Sequence, residues 1–120
     1  MKYDFLYDYL LTLKGVSTDF KAEWGWRRYS VGGKMFLAVC MDGGGSPYYI
    51  TLKLPPEEGS ALREIYSDII PGYYCNKRHW NSIKADGEVP AELVSELAFK
   101  AYAVVFASLP KKVREAIKKG

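Results

Sequence analysis

The chain has 120 residues, of which 48% are hydrophobic, 15% aromatic and 26% charged, with a formal net charge of +3. That length suits one domain over residues 1–120 with a single core, and the composition excludes a disordered chain. Two cysteines, Cys40 and Cys75, with no export signal in view, are expected to be thiols in a reducing cytoplasm instead of a disulfide.

At the N-terminus, apolar Phe5, Leu6, Tyr9, Leu10 and Leu13 are spaced as one face of a helix over Tyr3 to Leu13, which Gly15 stops. Asp4 and Asp8 lie opposite that stripe and are expected to be a solvated face, not a paired-carboxylate site. They also interrupt the apolar run, so the segment does not read as a signal peptide, and no window approaches the length needed to cross a bilayer.

From Trp24 to Leu54 the pattern changes. Gly32-Gly33 and the loop Asp42 to Pro47 separate three β-prone runs, which predicts an antiparallel meander of three strands. Met35 to Met41 is apolar on both faces and reads as its central strand, so Cys40 is expected to be a small core residue. Trp24 and Trp26 are expected to share one strand face, as core or sheet surface. The glycines at 43 to 45 lack the following helix that a phosphate loop needs, and read as a hairpin loop.

Pro55-Pro56-Glu57-Glu58 opens a second helix with Leu62, Ile65, Tyr66 and Ile69 as its stripe, ended by Pro71-Gly72. A further strand is expected over Trp80 to Ala85, followed by a turn at Asp86-Gly87. A third helix runs from Pro90 to about Ala107 with Leu93, Leu97, Ala101, Val104 and Val105 inward. Ser108 is placed to cap a short basic fourth helix that rests on Val113 and Ile117. The sum is an α+β domain with helices packed on a single antiparallel sheet.

Charge is uneven along this layout. Residues 1–70 carry eight Lys/Arg against nine Asp/Glu, whereas residues 71–120 carry nine against five. The stretch Pro71 to Trp80, PGYYCNKRHW, adds aromatics to cations, a chemistry suited to phosphate contact and base stacking. A second reading stands beside it, in which Trp80 plugs the core while Lys77 and Arg78 keep a loop soluble. Catalytic material is thin: His79 is the single histidine, and neither a Cys75–His79 pair nor a Cys75/His79 metal site has the partners such chemistry needs. No catalytic residue, metal or cofactor is therefore expected.

The segments Pro71-Gly72-Tyr73, Asn76-Lys77, His79-Trp80, Asp86-Gly87, Val89-Pro90, Tyr102 and Ser108 to Lys112, with Gly32 to Val39 upstream, resemble the MmcQ/YjbR family over nearly the whole chain. The resemblance implies a fold described as CyaY-like or YjbR-like and a function described as DNA-binding, with Asn76, Lys77, His79 and Trp80 as the signature. Together these readings give a small non-enzymatic cytoplasmic protein, expected as a monomer without membrane association. It would bind DNA with little sequence preference through a basic C-terminal surface of Lys77, Arg78, His79, Lys84, Lys111, Lys112 and Arg114. The alternative is an adaptor or small-ligand module with a pocket rimmed by Tyr73, Tyr74, Asn76 and His79, near Trp80.

Overall fold

In the computed structural model, which describes residues 1–72 and 76–120, ten elements follow one another along the chain. They are α1 (Phe5–Leu11), β1 (Val16–Lys21), β2 (Trp26–Val31), β3 (Lys34–Met41), β4 (Pro47–Lys53), α2 (Pro56–Ile65), β5 (Ile69–Pro71), β6 (Trp80–Lys84), α3 (Ala91–Ser108) and α4 (Lys111–Lys119). The six strands form one antiparallel sheet in the order β1-β2-β3-β4-β6-β5, and the four helices pack on it. The α+β architecture with one antiparallel sheet is thus the one the sequence predicts.

Alternation along the strands sorts side chains to two faces. One face sends Tyr29, Leu37, Val39, Ile50, Leu52 and Ile83 into the main core, where they meet Leu6 and Leu10 of α1 and Val94, Ala98, Ala101 and Val105 of α3. A bulge between Tyr29 and Ser30 gives β3 an extra residue there, Phe36, which is buried and packs edge-on against Tyr102 at 5.6 Å between ring centroids. The other face carries a smaller cluster of Trp26, Ala38 and Cys40, with Met35, Tyr48 and Tyr49 against it. Cys40 is a core residue as expected, its Sγ 3.6 Å from Thr51 Oγ1, which in turn lies 2.9 Å from Ser82 Oγ.

Several elements differ from the sequence reading. β1 has no counterpart in the sequence reading, because the four central residues of VSTDFK are exposed and the strand shows no alternating apolar pattern. The second helix ends at Ile65, and Ile69, which fits the helical period, instead opens the short strand β5; Ile65 itself is 70% exposed. Ser108 does not cap α4: its hydroxyl donates back to the Val105 carbonyl, and Pro110 stands at the cap position. Trp24 lies in the turn before β2 instead of on the strand and is 55% exposed, while its ring packs edge-on against that of buried Trp26 at 5.4 Å between centroids.

Strand direction fixes what gathers at each end of the sheet. The starts of β1, β3 and β6 lie beside the ends of β2, β4 and β5, so Gly15, Gly32-Gly33, Lys34, Lys53 and the turn at 76–79 all fall at one end. The opposite end holds the loop Asp42 to Ser46, Asp68, Lys84 and Asp86.

Candidate nucleic-acid interface

The turn that carries Lys77 and Arg78 is held by main-chain and Asx hydrogen bonds. Asn76 accepts at its carbonyl from the N–H groups of His79 (3.3 Å) and Trp80 (2.9 Å), and at Oδ1 from the N–H of Arg78 (2.9 Å). An asparagine suits this place because its short amide reproduces a turn hydrogen bond two residues on. The carbonyl of His79 accepts from Leu54 N–H at 2.8 Å, and that of Trp80 from Gly72 N–H at 2.7 Å. A Cβ on Gly72 would come within 2.8 Å of the Trp80 Cβ, so only glycine permits the approach. Asn76, Lys77 and Arg78 are exposed, whereas His79 and Trp80 are half-buried.

Beneath the turn, Asn81 is wholly buried and receives a hydrogen bond at Oδ1 from the Arg63 guanidinium of α2. Gly59 of α2 lies over the same amide; a Cβ there would sit 2.8 Å from both Asn81 Nδ2 and Oδ1. The groove beside Arg78, about 590 Å³, is lined by Pro56, Glu57, Ser60, Ala61, Arg63, Glu64 and Arg78 and is mixed in charge; Asn76 and His79, of the rim expected for a small-ligand module, do not line it. Tyr73, Tyr74 and Cys75, the remaining residues of that expected rim and of the thiol reading, lie outside the described residues.

The second basic group sits on α4. This helix leans its Ile117 on Gly15 and follows a Leu109 that rests on Gly32; Cβ atoms there would fall 2.7 Å from Ile117 and 2.6 Å from Leu109. Lys14 Nζ donates to the Lys118 carbonyl at 2.8 Å. These contacts place α4 over the ends of β1, β2 and β3. Lys111, Lys112, Lys118 and Lys119 are exposed, and Lys111 is 4.0 Å from Glu115 one turn on. Arg114 is half-buried and its Nε donates to the Leu109 carbonyl at 3.1 Å, which ties part of its guanidinium to the chain.

Of the residues expected to make one phosphate-binding surface, the structure brings Lys77, Arg78, His79, Lys111, Lys112 and Arg114 to the same end of the sheet, in two clusters. Lys84 is not with them. It closes β6 at the far end, four residues and so roughly 14 Å along the strand from Trp80. There it shares a groove with Asp42 and Asp86, while its N–H donates to the Asp68 carbonyl. Sequence proximity to Lys77 misleads because a strand carries its two ends apart. Conversely, Lys34 and Lys53 lie between the two clusters and Lys14 beside α4, although they sit far from 77 and 111 in sequence. The hairpin at Gly32-Gly33 and the strand direction it imposes were the signals that could have found them.

Three half-buried cations of β1 and β2 are differently engaged. Arg28 forms a two-pronged contact with Asp19, at 2.8 and 2.6 Å, which holds the Asp19 carboxyl below its ordinary range. Lys21 pairs with Glu23 at 3.1 Å and stands over the Trp24 ring, and Arg27 stands over Phe20. Among the described residues no group of three His, Cys, Asp or Glu could hold a metal ion, and no helix is long and apolar enough to cross a membrane.

A family model described as YjbR matches residues 11–104. The uncharacterized protein YbdF of Escherichia coli O157:H7 is 30% identical over 92 residues, 77% of this chain and 74% of its own. An Escherichia coli protein YjbR, also uncharacterized, is 31% identical over 68 residues, 57% of this chain and 58% of its own. Among solved structures, a Deinococcus radiodurans protein with a DUF419 domain superposes with a TM-score of 0.85 at 30% identity, over 96% of this chain and 86% of that one. A Pseudomonas syringae protein at 20% identity shares the fold, with a TM-score of 0.69 over 87% and 98% of the two chains.

Proposed function

The chain belongs to the YjbR family, and from that premise we propose that it is a small non-enzymatic protein that binds DNA by charge, with little sequence preference. The observation that carries this reading is the collection of Lys14, Lys34, Lys53, Lys77, Arg78, Lys111 and Lys112 at one end of the sheet, supplied by separate segments that the strand directions bring together. Asp42, Asp68 and Asp86 lie at the other end. A molecule polarised in this way is steered toward a polyanion in one orientation. No described helix combines an exposed, groove-sized face with base-reading Arg, Asn or Gln side chains, which supports contact with phosphates over contact with base edges.

An anisotropy titration of labelled duplex at low salt, repeated as salt rises, tests the reading. If about four phosphates are neutralised, log K falls with log salt at a slope of roughly −3.6. No binding at low salt, or binding indifferent to salt, would refute it.

A further inference from the structure

Resting on the DNA-binding reading, we propose that the two cationic clusters form one bivalent clamp for duplex nucleic acid, each seated on one of the duplex's two phosphate strands. The clusters are Lys77-Arg78 on the turn before β6 and Lys111-Lys112 at the start of α4. Each is anchored to the sheet by its own contacts. The turn is tied through Leu54 N–H to the His79 carbonyl and through Gly72 to Trp80, while α4 is tied through Ile117 on Gly15 and Leu109 on Gly32. Their separation is therefore set by the hydrogen-bonded strands between them and not by a flexible linker.

Those strands are β2, β3, β4 and β6. Three strand spacings of roughly 4.8 Å put the two anchor points about 14 Å apart. Two phosphate strands facing each other across a groove of the duplex lie within reach of that gap, with the long lysine and arginine side chains taking up the difference. Lys34 opens β3 and Lys53 closes β4 in the space between, so the middle of the clamp also carries cations.

A duplex holds its two rows of phosphates at a fixed distance before it meets the protein. A single strand has no second row, and must be ordered to reach both clusters, at a cost in conformational entropy. Two rigid sites at the right spacing make the second contact intramolecular, so that losing either cluster costs more than its share of charge.

The test compares binding of a duplex of about 16 base pairs with a single strand of the same length and sequence, at matched salt. The unmodified protein is set beside Lys77→Glu/Arg78→Glu and Lys111→Glu/Lys112→Glu, with far-ultraviolet circular dichroism as the check on folding. The clamp requires the duplex to bind at least ~5-fold tighter than the single strand, and each double variant to lose ~10-fold or more on the duplex with a shallower salt slope. Equal affinity for single strand and duplex overturns the clamp while leaving DNA binding intact. So does a double variant that keeps full duplex affinity. Failure of the unmodified protein to bind either nucleic acid overturns the DNA-binding reading, and the clamp with it.

Discussion

The main-chain N–H of Leu54 donates to the carbonyl oxygen of His79 at 2.8 Å, so the buried residue immediately after β4 holds the turn that presents Lys77 and Arg78. Asn76 holds the same turn from its other side by accepting the Arg78 N–H. Replacing Asn76 with Ala removes that acceptor while leaving the Leu54 contact in place. The expected cost is about 0.5–1.5 kcal/mol of stability, with a modest weakening of DNA binding because the cations lose their fixed direction. Urea denaturation and the duplex titration check both parts; unchanged stability would show that the Asx contact contributes nothing to the turn.

Arg63→Met breaks the bond from α2 to Asn81 and leaves a wholly buried amide oxygen without its donor. An unsatisfied buried acceptor costs about 1–3 kcal/mol, which in a domain of this size lowers Tm by several degrees. Calorimetry checks it, and a variant within half a degree of the parent would exclude the bond as a stabilising contact.

The hairpin glycines offer a paired comparison. Gly32 has φ +58 and would place a Cβ 2.6 Å from Leu109, whereas Gly33 has φ +80 with open space around it. Gly33→Ala pays only for the left-handed backbone, about 1–2 kcal/mol. Gly32→Ala pays that and must also displace Leu109, which seats α4. Equilibrium unfolding should rank Gly32→Ala as clearly the more damaging; equal losses would mean that Leu109 yields freely.

These glycines also show how far the sequence can be read. Gly32-Gly33 between β-prone runs is visible from residue type alone, and so are the three strands, the Cys40 core position and the 18-residue α3, because hairpin chemistry and apolar periodicity are local. β1 is not visible, since an exposed edge strand has no buried face to impose alternation. Ile69 reads as helical because its spacing from Ile65 satisfies a helical period that the backbone abandons at Tyr66, where φ is −115 and ψ 114. The site shows the same division. Asn76 to Trp80 stands out by composition, but Lys34 and Lys53 join it only through strand pairing, a relation that no window of sequence contains.

Alkaline pH should destabilise the fold. Burial pushes the phenols of Tyr3, Tyr7, Tyr29 and Tyr102 above their ordinary value of 10.0, with nearby Asp68 adding to the rise at Tyr3. Unfolded tyrosines then release protons first, so above about pH 10 the native state binds more protons and stability falls as pH rises. Below that value these groups are protonated in both states and contribute no slope. Tyr29→Phe removes one of the four, and urea midpoints between about pH 9 and pH 11 should fall less steeply for it. An identical slope in the parent would exclude Tyr29 as a source of the effect.

Lys84 separates a surface chosen by sequence proximity from one chosen by strand direction. It lies within eight residues of Lys77 yet stands with Asp42, Asp68 and Asp86 at the other end of the sheet. Lys84→Glu and Lys112→Glu change net charge equally, so a protein that responds to net charge alone should lose DNA affinity equally in both. Contact through the end that carries Lys77 and α4 instead predicts that Lys84→Glu stays within about twofold of the parent, because its charge is more than a Debye length from the phosphates at physiological salt. Lys112→Glu should lose several-fold and lower the magnitude of the salt slope by about 1. Equal losses in the two variants would move the interface off this end of the sheet.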